Sequence, residues 1–291
     1  MKRGAMGFLT RTPLHFVLIG LALIWMLPTF GLFITSFRSP EVVGETGWWT
    51  VLLHPFNFTQ YTLENYRSVI FEGGMGRAFL NSLFITIPGT LIPILLAGFA
   101  AYAFAWMNFR GRNLMFMIVV GLMVVPLQMT FIPILTVLND LSKVGIKLGG
   151  TFPAIWLAHT GYGMPLMVYL LHGFIAGLPK DLFDSAAIDG ASSLKTFFRI
   201  VVPLSVPAIA SVAIFQFLWV WNDLLVALIY LGSTPNVGPV TLKVANLVGS
   251  RGQDWEILTA AAFVSMALPL VVFFSLQRYF VRGILAGSVK G

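Results

Sequence analysis

The chain is predicted to be an all-α integral membrane protein with six transmembrane helices. Of its 291 residues, 57% are hydrophobic and only 10% are charged, whereas a soluble domain carries about 25% charged and 45–50% apolar residues. The apolar residues also fall in long runs, each able to cross a hydrocarbon core that takes about 20 apolar residues. The distribution of cations between the connecting segments then orients the chain.

The spans are expected at residues 14–37, 77–105, 114–138, 151–176, 205–231 and 257–280. The first follows Lys2, Arg3 and Arg11 but is too long for a leader, and Ser36-Phe37-Arg38-Ser39-Pro40 offers no small-residue cleavage site. It reads as a retained signal anchor. Pro28, Pro88, Pro93, Pro126, Pro133, Pro153, Pro165 and Pro269 lie at membrane depth. Each frees a carbonyl that a neighbouring helix or cavity water must satisfy. They read either as packing kinks or as bends along a path that opens and closes.

Six spans put both termini on one side. With cytoplasmic termini, the inner segments hold Lys2, Arg3, Arg11, Arg110, Arg112, Lys180, Lys195, Arg199, Arg278, Arg282 and Lys290. The outer segments hold Arg38, Arg67, Arg77, Lys143, Lys147, Lys243 and Arg251. Eleven inner cations against seven outer ones, on shorter inner loops, support that orientation. Residues 1–13 are then a cytoplasmic amino terminus, 14–280 the membrane domain and 281–291 a cytoplasmic tail. Topology accounts for the net charge of +7, so no nucleic-acid partner is implied. The absence of cysteine excludes disulfides and thiolate metal ligands.

The outer segment 38–76 carries Trp48-Trp49 and Thr59–Tyr66, aromatic residues suited to the membrane–water boundary. Thr62 ahead of Asn65-Tyr66 reads as the start of a short interfacial helix. The inner loop Asn108–Asn113 is a plain basic turn.

The inner loop at 178–203 is longer than a connector needs, and it is patterned. Pro179 blocks the preceding helix, and Asp181 is expected to cap a new one with Leu182, Phe183, Ala186 and Ala187 on its apolar face. Gly190 can leave that helix with positive φ. Ser192 or Ser193 can cap a second short helix, ending before Pro203, with Phe197, Phe198, Ile200 and Val201 on its apolar side. An interfacial helix would carry Lys and Arg on its polar face. This one shows Asp181, Asp184 and Asp189 against Lys180, which favours a basic protein partner.

These residues resemble the EAA loop of the membrane subunits of bacterial ATP-binding-cassette (ABC) importers of type I. Asp184-Ser185-Ala186 stands in the Glu-Ala-Ala place and Asp189-Gly190-Ala191 matches Asp-Gly-Ala. Ile200 follows Gly190 after nine residues, and Val202-Pro203 replaces Leu-Pro. The tail from Gln277 to Gly291, the cluster Trp221-Asn222-Asp223 and the stretch Thr62–Tyr66 are similar to the second permease of maltose-type carbohydrate importers. The run from Gly238 to Gly291 looks most like the α-glucoside permeases.

The resemblance implies a permease for sugars in the bacterial inner membrane. Its partners would be a second permease, two ATPase subunits and an extracytoplasmic sugar-binding protein, all in or at the lipid bilayer. The coupling loop would dock the ATPase, with Asp184 on a basic side chain and Gly190 making the turn. The tail, with Gly287, Lys290 and Gly291, would reach the ATPase dimer.

Asp223 is the one carboxylate inside an expected span. A charge at that depth usually faces a bundle interior or a water-filled cavity. Three readings stand: a pathway or gate site with Trp221 and Asn222, a hydrogen-bonded interhelical lock, or a site close to the outer interface. His159, His172, Asn81, Ser82, Gln128 and Gln216 read as interhelical hydrogen-bonding groups. No Gly-x-x-x-x-Gly-Lys-[Ser/Thr] occurs, so ATP and Mg would be bound by a partner. The rival reading, an ion-gradient-driven secondary transporter, leaves the patterned loop unexplained. A membrane enzyme would need a catalytic or metal constellation, and the spans contain none.

Overall fold

The computed structural model describes residues 2–232, 236–250 and 254–288, with side chains described over 13–232, 236–248 and 254–278. Those residues form helices joined by short turns, with one isolated bridge between Arg38 and Tyr61. The chain divides into two compact units, residues 1–76 with 244–266, and residues 77–243 with 267–291.

In the first unit, the helix Lys2–Thr35 ends where hydroxyls bond back onto it. Thr35 Oγ1 donates to the Gly31 carbonyl at 2.9 Å, and Ser36 Oγ to that of Phe33 at 2.6 Å. Beyond it, the buried Arg38 guanidinium donates to the Val42 and Thr46 carbonyls and to the Thr46 and Thr50 hydroxyls. Burial lowers its pKa, and arginine remains charged regardless. Asn65 donates to the carbonyls of Ser36 and Arg38, so the segment that follows is tied back to the helix end. Thr62 Oγ1 accepts from the Glu64 amide at 3.0 Å, at the start of the short helix Glu64–Arg67. Trp48 packs edge-on against Phe30, and a Cβ on Gly31 would meet its ring at 2.7 Å. Trp49 points outward.

In the second unit, three helices form the frame: Met75–Trp106, Phe152–Ile175 and Val206–Asn222. The helix Phe152–Ile175, at 24 residues, is about 36 Å long by its rise per residue. One core gathers Ile85, Ala154, Ile155, Ala158, Val220 and Tyr230. A second gathers Ala97, Ala101, Met167, Leu171, Phe197 and Val212.

Among the described residues, three helices are by themselves long and apolar enough to cross a membrane: Pro13–Thr35, Met75–Trp106 and Trp255–Arg278. Counting each of three sharply bent helix pairs as one crossing gives six.

Two expected spans are not continuous helices. Over 114–138, the chain bends by 99° between Arg112–Val124 and Leu127–Lys143. Val125 is extended (ψ 117°) because it precedes Pro126, whose ring disfavours the α conformation in the residue before it. Over 205–231, the helix stops at Asn222, Asp223 is extended, and a new helix runs Leu225–Leu231.

Candidate functional site

The patterned loop at 178–203 begins after a bend of 82° from Phe152–Ile175 into Lys180–Ile188. Pro179, with extended ψ, occupies the cap position, and no side chain caps the helix. Asp181 lies in the first turn rather than at the cap, because the helix already starts at Lys180. There a carboxylate still complements the amino-terminal dipole. Its carbonyl accepts from Ser185 Oγ at 2.7 Å.

The helix closes as a Schellman motif. Gly190, at φ +65°, donates its amide to the Ala187 carbonyl at 3.1 Å, and Ala191 donates to Ala186 at 2.9 Å. Ala186 is buried beneath that turn. Ser192 Oγ then accepts from the Lys195 amide at 3.3 Å and caps the next helix, Ser193–Thr196. The helical path does not end before Pro203. It widens into a π turn over Phe197–Val201 and continues through Pro203 to Leu204. Pro203 has no amide to donate to the preceding turn, and it follows directly on the widened turn at the start of Val202–Leu204. The chain turns by 78° at Ser205 into Val206–Asn222.

Aromatic rings fasten this loop to the helix Met75–Trp106. Phe183 stacks on Trp106 with centroids 3.8 Å apart, and Phe197 stacks on Phe99 at 4.4 Å. Tyr102 lies between them, 6.4 Å from Phe183 and 5.7 Å from Phe197. Trp106 donates from Nε1 to the Ile175 carbonyl at 2.9 Å. Phe99, Tyr102 and Trp106 recur at helical spacing, so one face of the span receives both loop helices.

The opposite side of the loop faces away from the protein. Asp184 is 57% exposed, and among the described residues Lys180 alone lies in ion-pair range, at 3.8 Å. Asp181, Asp189, Ala187 and Gly190 are exposed, and Ile188 is 87% exposed at the tip. The expected apolar face is therefore split: Phe183 and Ala186 face inward, while Leu182 and Ala187 do not. Ile200 is half-buried and Pro203 exposed.

At the other candidate site, Asp223 precedes the cap residue Leu224 and bonds to the first turn of the helix Leu225–Leu231. Its carboxylate accepts from the amides of Val226 at 3.3 Å and Ala227 at 3.1 Å. Its carbonyl accepts from Thr241 Oγ1 at 2.8 Å. Trp221 is buried, edge-on to Phe79 and stacked on Phe217. The exposed Asn222 donates to the Leu218 carbonyl.

The expected interhelical hydrogen bonds are made by some of these polar residues and not by others. Gln216 donates to the Gly89 carbonyl at 3.0 Å and that of His159 at 3.4 Å. Asn81 donates instead to the carbonyls of Asn236 and Gly238, and Ser82 Oγ accepts from the Val240 amide. The His159 imidazole makes no hydrogen bond; Nε2 lies 3.9 Å from Asp223 Oδ2, outside hydrogen-bond range. His172 packs its ring 4.2 Å from that of Phe116.

Among the described residues, no group of three or more His, Cys, Asp or Glu could hold a metal ion. Of the tail, Gly287 lies in the helix Trp255–Ser288, while Lys290 and Gly291 lie outside the described residues. The stacking of Phe183 on Trp106 carried no signal in sequence beyond aromatic content, because the two residues meet only through the fold.

Residues 89–286 match the family of the binding-protein-dependent transport system inner membrane component. The osmoprotective compounds uptake permease protein GgtD of Synechocystis sp. is 61% identical over 283 residues, covering 97% of this chain and 93% of that protein. The alpha-glucoside transport system permease protein AglG of Rhizobium meliloti is 55% identical over 232 residues, covering 80% of this chain and 61% of that protein. A crystal structure of a bacterial ABC transporter that imports alginate matches with a TM-score of 0.64 at 17% identity, over 96% of this chain and 99% of that one. At that identity the match bears on the fold alone. The family leaves the ion-gradient reading without support. This chain belongs to the binding-protein-dependent inner membrane components, the non-catalytic membrane-spanning permease subunits of ABC importers.

Proposed function

We propose that the chain is one permease of a heterodimeric sugar importer, and that its coupling loop carries closure of a partner ATPase into the membrane helices. The observation that carries this is the two-sided build of the loop. One side is stacked on Phe99, Tyr102 and Trp106, and the other presents Asp181, Asp184, Asp189 and Ile188 outward. A load on the exposed side would pass through close ring contacts into the helix Met75–Trp106.

Two ATPase subunits, which bind ATP and Mg, would offer a basic-rimmed socket with an apolar floor for Ile188. Residues Asp184, Ser185, Ala186, Asp189, Gly190, Ala191, Ile200 and Pro203 make up this docking element. Gly287, Lys290 and Gly291 would approach the ATPases from the carboxyl terminus, with both termini cytoplasmic. An extracytoplasmic binding protein would deliver substrate on the far side. Trp221, Asn222 and Asp223, at the helix break, would form a gate. The substrate class is α-glucosidic sugars, supported by the name of the Rhizobium relative; the Synechocystis relative is named for osmoprotective compounds.

Co-purification tests the reading. The tagged chain, expressed with its partners, should retain ATPase subunits and support ATP-dependent uptake of maltose into vesicles. A chain that purifies alone and drives uptake without ATP would overturn it.

A further inference from the structure

Each of the three frame helices of the second unit has the same sequence of zones along its length. On Met75–Trp106, core residue Ile85 is followed by Thr86, Gly89 and Thr90 and then by core residues Ala97 and Ala101. On Phe152–Ile175, Ala158 is followed by His159, Thr160 and Gly163 and then by Met167 and Val168. On Val206–Asn222, Gln216 lies between Val212 and Val220. Two apolar cores are thus separated by one polar layer, near the middle of the first two helices.

The layer is close-packed. A Cβ on Gly163 would lie 2.7 Å from Gln216 Oε1, and one on Gly89 would lie 3.6 Å from His159 Cβ. It is also incompletely bonded. Thr86 Oγ1, Thr90 Oγ1 and both His159 ring nitrogens are buried without a hydrogen-bond partner, and His159 is 0% exposed.

Four such atoms on facing helices are costly in an apolar interior, where a polar group without a partner loses its hydration for nothing. Packing alone does not explain them, since Val in place of Thr, or Leu in place of His, would fill similar volume at no such cost. A second conformation in which these groups find partners would account for their retention.

We propose that the Thr86–Thr90–His159 layer is a hydroxyl-recognising subsite of the translocation path, closed in this conformation and opened in another transport state to a neutral polyhydroxylated solute. The chemistry matches. A neutral imidazole offers one donor and one acceptor, and each threonine hydroxyl offers both, so the set can bond sugar hydroxyls of either polarity. Asp223 Oδ2 lies 3.9 Å from His159 Nε2, and a small shift of the ring as the layer opens would bring the two into hydrogen-bond range. The sugar assignment rests on the function proposed above; the opening of the layer does not.

The chain contains no cysteine, so single-cysteine accessibility has no background from this subunit. The variants Thr86→Cys and His159→Cys would be assembled with the second permease, the ATPases and the binding protein in proteoliposomes. Ile155→Cys and Val168→Cys, equally buried but in the two apolar cores, serve as references. Labelling of this subunit by a membrane-permeant methanethiosulfonate is followed at rest, with ATP, and after trapping with ATP and vanadate.

In one of these states the layer positions should react at least about tenfold faster than the references, and maltose should slow them several-fold, as expected for a site that opens to solvent and ligand. Rates equal to the references in every state would overturn the proposal. Fast labelling that maltose leaves unchanged, in vesicles that import maltose, would overturn recognition and leave only a water-lined path. Absence of maltose import by the unmodified complex counts against the α-glucoside reading, while the labelling rates still decide whether the layer opens. Thr86→Cys keeps a small polar side chain, so it decides the outcome if His159→Cys fails to assemble.

Discussion

Asp184 stands in the middle of the short helix Lys180–Ile188, and Asp223 stands just before the start of another, Leu225–Leu231. Asp184 is 57% exposed and pairs with Lys180 at 3.8 Å. Asp223 is 11% exposed and accepts from two backbone amides. One carboxylate is used up inside the protein, holding the restart of a helix. The other is held out on a rigid support and satisfied by little. The contrast fits the proposed roles: the acid on the loop is available to a partner, whereas the acid at the break already fixes the backbone that a gate would have to move.

Reversing the exposed charge should break that contrast most sharply. Like charges brought together across an interface cost several kcal/mol, so Asp184→Lys should lower ATPase retention by about a hundredfold or more. Membrane insertion and extraction should be unchanged, because no internal hydrogen bond is lost. The check is a pull-down of ATPase subunits alongside a measurement of the subunit's yield in membranes. Normal retention would mean that the exposed acids have no outside partner.

The buried side of the comparison is tested at Gly163. Its missing Cβ would stand 2.7 Å from Gln216 Oε1, so Gly163→Ala must displace a side chain that bonds Gly89 and His159. Overpacking of this kind costs about 1–3 kcal/mol. The expected outcome is a lower thermal midpoint of the detergent-solubilised complex, with ATPase docking intact. An unchanged midpoint would show that the polar layer has room to yield.

A smaller effect is expected at Gly190, whose φ of +65° is open to glycine and strained for most residues. No atom lies within 4 Å of its Cβ position, so a side chain there acts through the backbone alone. A left-handed conformation costs about 1–2 kcal/mol in an L-residue other than Gly, Asn or Asp. Gly190→Val should therefore weaken docking by about tenfold, while Gly190→Asn should restore most of it. Equal loss in both variants would point to a steric clash with the partner instead of a backbone requirement. Gly190→Asp separates a third effect: its conformation is tolerated, so any loss comes from the added charge.

Much of the loop was legible before the structure because its features are local. Gly190 announces a positive φ, Ser192 a cap and Pro179 a stop, and each acts within a few residues. Asp181 misled in a small way, since Pro179 already initiates the helix and leaves the aspartate inside the first turn. The break after Asn222 was also written locally, as an aspartate ahead of an apolar run. In an apolar span, that carboxylate read first as a ligand or lock. The bend at Pro126 follows from the extended preference of the residue before a proline, a preference that hydropathy averaging hides. What stayed out of reach was tertiary. Nothing near Phe183 in sequence points to Trp106, and nothing near His159 points to the Thr86 and Gln216 layer.

The smallest effect should come from Lys180. Its pair with Asp184 spans one helical turn, and both side chains are open to solvent, at 76% and 57% exposure. Exposed pairs of this kind contribute about 0.3–0.5 kcal/mol in helices, so Lys180→Ala should leave the subunit's stability within measurement error. Its effect on docking discriminates between two roles for the lysine. If Lys180 only shields Asp184, removing it frees the carboxylate for a basic socket, and ATPase affinity should hold or rise by up to about twofold. If the lysine itself meets the partner, affinity should fall. A titration of ATPase against the purified variant in membranes reads the sign directly. A fall would move the acidic face away from the centre of the interface and place the mixed Lys180–Asp184 edge there instead.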